Sequence, residues 1–241
     1  MSERSPYRWF NSRLGRDLMK AERGQLSAML PDRYFPVTLQ IGCSGTPEFV
    51  DLIDCERCVL VDIELPCELN GLKVIAEGSA LPFGSRSSDL VLLPHTLDFS
   101  PHPHQLLREV VEILVPEGLV ALTGLNPYSL WGGWRWTRQW RKTPPWNANY
   151  FSPRRVQDWM SLLDLEIVSA SLMEYRLPTV SWGIRDRLDF LEVAGARWWP
   201  GMAAVYLIIA RKRELGVRPQ GQRKSRRRRL ATGYAGTMAK S

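Results

Sequence analysis

The stretch 37–63 constrains this chain more than any other. A short apolar run, Val37–Ile41, passes directly into Gly42-Cys43-Ser44-Gly45; residues 47–53 then suit a helix, and 58–63 form a second apolar run. Strand, glycine turn, helix and strand make the parallel crossover unit, so a chain with this passage commits to neighbouring strands that run in the same direction. Further runs at 72–76, 89–93, 119–123, 166–170 and 203–210 bring the total to about seven. The runs at 72–76 and 89–93 are almost continuously apolar, as strands covered on both faces must be. Helical periodicity over 9–30 and 153–163 supplies covering layers, as does 103–114, where His104, Leu107, Val111 and Leu114 share a stripe. Ser152 is the expected N-cap of the last of these helices. The reading is a three-layer α/β fold with a mostly parallel seven-stranded sheet.

Charge divides the chain in two. The net charge is +7, yet eleven of the 32 Lys and Arg lie in residues 211–241, where Glu214 is the only acid. Residues 1–210 therefore hold 21 basic against 24 acidic side chains and are mildly acidic. We expect a single folded domain over 1–213 and a basic, disordered tail over 214–241 that attracts phosphate without reading sequence. The longest wholly apolar run, 203–210, is far shorter than the roughly twenty residues of a membrane span. The N-terminal residues lack the apolar core of a leader, so a cytoplasmic protein is expected. Four cysteines crowded between Cys43 and Cys67 suit reduced structural thiols in such a compartment. No metal site is expected, because tetrahedral closure around them would distort the first two strands.

In a doubly wound sheet, ligands bind beyond the carboxyl ends of the strands, where chain order reverses. Gly42 and Gly45 follow the first strand there, and their small size lets backbone approach a ligand. Asp62 ends the second strand twenty residues after Gly42, where a carboxylate can accept hydrogen bonds from both hydroxyls of a ribose. Together these residues indicate a nucleoside-containing cofactor. The loop lacks the second close glycine that a dinucleotide pyrophosphate needs, which argues against NAD.

The segments that follow carry a resemblance. Ala76-Glu77-Gly78-Ser79-Ala80-Leu81-Pro82-Phe83, then Asp89-Leu90-Val91-Leu92-Leu93-Pro94-His95-Thr96-Leu97, Leu106-Leu107-Arg108-Glu109-Val110 and Pro116-Glu117-Gly118 follow one another at set intervals. In that order the chain resembles the class I S-adenosylmethionine-dependent methyltransferases, in particular the type 11 methyltransferase domain, across about half its length. The resemblance implies a Rossmann-like methyltransferase fold with S-adenosyl-L-methionine as cofactor. It implies contacts from Gly42, Cys43, Ser44, Gly45, Asp62, Ile63, Ser79, Ala80, Leu81 and Pro94. Gln40, Ser44, Thr46 and Ser79 stand where the family pattern has acids or glycines.

His95, just after the fourth strand, has two readings: a general base for an acceptor that must lose a proton, or a group that bonds locally or packs against the cofactor. The acceptor is expected to be a small molecule; the alternative is a nucleic-acid-binding protein whose methyltransferase-like body is a non-catalytic scaffold and whose basic tail supplies the affinity. The region 127–150 reads as an insertion rich in tryptophan. Residues 131–146 hold five of the ten tryptophans, interleaved with Arg135, Arg138, Arg141 and Lys142 and no acid. A substrate lid, a packed hairpin, a base-stacking surface and a membrane-surface element all fit that composition.

Overall fold

A computed structural model describes residues 6–42, 49–63, 72–138, 143–178, 194–195 and 197–213. Its strands are β1 (Val37–Ile41), β2 (Arg57–Asp62), β3 (Leu72–Ile75), β4 (Ser88–Pro94), β5 (Leu114–Leu125), β6 (Leu165–Met173) and β7 (Val205–Lys212). The helices are α1 (Pro6–Phe10), α2 (Arg13–Met29), α3 (Thr96–Phe99), α4 (Pro103–Ile113), α5 (Leu130–Arg138) and α6 (Pro153–Leu162). One sheet takes all seven strands in the order β3-β2-β1-β4-β5-β7-β6. Pairing is parallel from β3 to β5, whereas β7 runs antiparallel to both β5 and β6.

The layers follow from side-chain alternation. On β4, Val91 and Leu93 face a core completed by Leu106, Leu107 and Val110 of α4 and by Val156 and Met160 of α6. Leu90 and Leu92 face the opposite core, shared with Phe10 of α1, Leu14, Leu18 and Leu26 of α2 and Trp131 of α5. A strand buried on both faces has no polar side, hence the continuous apolar runs. Ser12 caps α2 by accepting from Gly15 N, and Ser152 caps α6 by accepting from Arg155 N. Gly15 is required by proximity, since a Cβ there would lie 2.3 Å from the Trp9 carbonyl oxygen.

Several details differ from the sequence reading. The strand expected at 119–123 begins at Leu114, because Leu114 already pairs with Ser88. The intervening Glu117 turns through a left-handed φ of 63°. Within 47–53 the described residues show only a 3-10 turn, Val50–Leu52. Cys55 and Cys58 are joined as a disulfide, which corrects the expectation of four reduced thiols; the turn into β2 brings their Cα atoms to 6.2 Å, inside disulfide range. Cys43 and Cys67, like the tail 214–241, lie outside the described residues. Among the described residues no helix is long and apolar enough to cross a membrane.

Candidate active site

Strand order reverses between β1 and β4, so the crevice opens beyond their carboxyl ends. Ile41 of β1 is in register with Val61 of β2, and Gly42 N donates to the Val61 carbonyl at 2.8 Å. One residue further along each strand, Gly42 and Asp62 therefore stand side by side. Gly42 has a φ of +77°, and a Cβ there would come within 2.7 Å of the Thr96 side chain. Glycine is needed on both counts. Thr96 fixes this corner through a hydroxyl that donates to the Ile41 carbonyl.

Asp62 is half-buried, and its Oδ1 accepts from Ile63 N at 2.7 Å. Ile63 beside it is 61% exposed. A carboxylate next to an uncovered aliphatic side chain matches the two halves of a nucleoside: the acid suits ribose hydroxyls, and the isoleucine suits the flat face of a base. The next wall is the turn 77–81. It is tied to α4 by Gln105 Nε2, which donates to the Ser79 carbonyl at 2.9 Å, and by the Glu109 carboxylate, which accepts from Leu81 N at 3.5 Å. Ser79 is half-buried, Ala80 exposed and Leu81 buried; Pro94, at the end of β4, is buried. Of the expected cofactor contacts, Cys43, Ser44 and Gly45 lie outside the described residues.

His95 occupies a different environment. It is 1% exposed and takes a left-handed φ of 51°, a conformation that costs a non-glycine residue about 1–2 kcal/mol. Its Nδ1 meets Asp98 Oδ2 at 2.9 Å and its Nε2 meets Glu22 Oε1 at 2.7 Å, with both carboxylates fully buried. The Phe10 ring lies against the imidazole at 5.2 Å between centroids. Burial alone would push the imidazole toward neutrality. The Glu22 charge and the hydrogen bonds to Asp98 and Glu22 outweigh it, and the pKa rises from 6.5 to about 10. Burial raises Asp98 to about 6, an effect its bonds to His95 and Leu125 N only partly offset. His95 is thus an imidazolium clasped by two carboxylates. With both nitrogens committed inside the core, this geometry matches local bonding rather than a base facing an acceptor.

Glu22 is the member of this cluster that sequence reasoning missed. Its signal was present: in the stripe Leu14, Leu18, Glu22, Leu26, repeating every fourth residue, one acid occupies a core position. The cluster also reaches β5, where Leu125 N donates to Asp98 Oδ2 at 2.9 Å. In this way the N-terminal helix, the β4 end and the β5 end converge on one buried charge group.

Comparisons with known proteins agree with this fold. The methyltransferase domain model of type 11 matches residues 39–122. The uncharacterized protein YafS of Escherichia coli strain K12 is 31% identical over 227 residues, covering 93% of this chain and 89% of that protein. Among solved structures, a SAM-dependent methyltransferase from Thermotoga maritima superposes with a TM-score of 0.63 at 22% identity, covering 86% of this chain and 93% of the other. A SAM-dependent methyltransferase from Archaeoglobus fulgidus superposes with a TM-score of 0.58 at 20% identity over 82% and 94% of the two chains.

Proposed function

The chain belongs to the same family as YafS and carries a type 11 methyltransferase domain, one that uses S-adenosylmethionine, and from that premise we propose that it methylates a small-molecule acceptor. When bound, the cofactor would supply a methyl group on a positively charged sulfur: a nucleophilic acceptor would bond to the methyl carbon in line as the C–S bond breaks, with the neutral thioether of S-adenosylhomocysteine as the leaving group. Asp62 holds the ribose hydroxyls, and Ile63 with the Ser79-Ala80-Leu81 turn borders the base. The passage Gly42, Cys43, Ser44, Gly45 lets backbone approach the rest of the molecule, and Pro94 closes the floor beside it. The observation that carries this assignment is the side-by-side placement of Gly42 and Asp62 at the switch point of the sheet.

We assign His95 as a positioning residue. Clasped between Glu22 and Asp98, it holds the β4 end rigid against α2, so methyl transfer proceeds by alignment and exclusion of water with no general base from this histidine. The mildly acidic balance of residues 1–210 favours a small acceptor over a polyanion. Nucleic acid attracted by the basic residues of 214–241 is the second reading. The body 1–213, with its insertion at 127–150, acts as one methyltransferase unit and the tail as an appendage.

Equilibrium dialysis with labelled S-adenosylmethionine tests the assignment. Retention that excess NADH leaves intact and that Asp62→Ala abolishes is expected; equal displacement by NADH, or retention by Asp62→Ala at the wild-type level, refutes it. Salt sensitivity of acceptor methylation separates the two substrate readings. A polyanionic acceptor loses turnover steeply with salt, and a small one does not.

A further inference from the structure

Twelve large hydrophobic side chains are strongly exposed among the described residues, and half of them lie on two segments, 128–136 and 198–202: Tyr128, Leu130, Trp136, Trp198, Trp199 and Met202. Trp136 is 81% exposed, Tyr128 72% and Trp198 69%. The segments that bear them are fastened together. Asn126 Nδ2 donates to the carbonyls of Gly201 and Ala203 at 2.9 Å each, and its Oδ1 accepts from Tyr128 N at 3.1 Å. Beneath them Trp131 is fully buried, its Nε1 donating to the Arg176 carbonyl at 2.9 Å. The face is therefore a fixed part of the fold, built on the end of β5 and the start of β7. Those ends lie at the same sheet edge as Gly42, Asp62 and His95.

The two segments that bear it are basic. Residues 118–157 contain six Lys or Arg and no acid, and 194–213 likewise lack any acid. Arg154 and Arg155, at the start of α6, are exposed at this edge, and Arg197 stands over the Trp198 ring. Glu174 nearby is buried and paired with Arg176 at 2.8 Å. We propose that this face docks on the surface of an anionic lipid bilayer. Tryptophan and tyrosine are the side chains that settle at the headgroup level, apolar body inward and polar edge toward water. Leu130 and Met202 add aliphatic surface that a lipid covers and a nucleic-acid base does not. Arginines around such a surface meet the negative potential of acidic lipids. Docked this way, the crevice mouth faces the bilayer. The proposal stands independently of the methyl-transfer reading.

Sedimentation of the full chain with vesicles of phosphatidylcholine alone, and of phosphatidylcholine mixed with phosphatidylglycerol, tests it. Binding to the mixed vesicles with a blue-shifted tryptophan emission is expected, and the variant W136S/W198S should bind about tenfold more weakly. Brominated lipid tails should quench the wild-type emission, a readout that needs no variant to fold. The basic tail alone would give binding that salt abolishes, that W136S/W198S does not change and that brominated tails do not quench; that result overturns the proposal. So does absence of binding to the mixed vesicles. A variant that loses affinity for a single-stranded oligonucleotide while keeping affinity for vesicles overturns it in favour of base stacking.

Discussion

The two halves of the sheet are finished to different degrees. Around Asp62, the β2–β3 half leaves Ile63, Leu72 and Ile75 more than half exposed. Across the switch point, six of the eight residues of β7 are buried, and at the β4 end the charges of Glu22, His95 and Asp98 are internal. Beside Asp62 apolar side chains face outward, whereas at the β4 end the charged side chains pair with one another inside the core. Ligand binding belongs where side chains remain uncovered, and stability belongs where a buried cation is matched by two carboxylates. Removing a member from each half should therefore separate stability from affinity.

The largest effect is expected from His95→Ala. It leaves Glu22 and Asp98 buried with no cation between them, a situation that costs about 3–5 kcal/mol. Urea denaturation should show that loss as a lower midpoint, and a midpoint equal to wild type would dissolve the contrast. On the other half, Asp62→Ala removes hydrogen bonds to a charged group worth about 1.5–3 kcal/mol in ligand affinity. At a half-exposed position its effect on the denaturation midpoint should stay within about 0.5 kcal/mol. Gly42→Ala joins the two effects. Forcing a Cβ into a left-handed residue against Thr96 should cost about 1–2 kcal/mol of stability and weaken cofactor binding as well.

The effect spread over the widest range of conditions is a slope with pH. The folded-state pKa of His95 is raised, so its stabilising contribution is complete below pH 6.5 and fades as pH rises toward about 10. Asp98 is also raised, from 3.8 to about 6, so its contribution is present at the acid end and fades through that interval. Both slopes run the same way. The wild-type melting temperature should fall from pH 6.5 to 10 beyond what His95→Gln shows, and parallel curves for the two proteins would count against a charged clasp.

How much of this was legible in sequence depends on what local pattern encodes. β1, β4 and α6 were readable because burial on two faces, or a capped amphipathic stripe, leaves a mark in ten consecutive residues. The antiparallel direction of β7 leaves none, since an apolar run reads the same in either direction. The neighbouring placement of Gly42 and Asp62 was legible because one directly follows and the other ends an apolar run. Glu22 was overlooked because its partner lies 73 residues away. Trp131 and Trp136 share one short helix, yet one is core and the other surface; composition marked the segment as unusual without sorting its members.

We propose an adenosine site in the crevice beyond the carboxyl ends of β1, β2 and β4, and calorimetric titration with S-adenosylhomocysteine tests it most directly. One equivalent should bind the wild-type protein, and Asp62→Ala should lose most of the affinity while melting at the wild-type temperature. No heat at millimolar ligand, or identical isotherms for the two proteins, would contradict it.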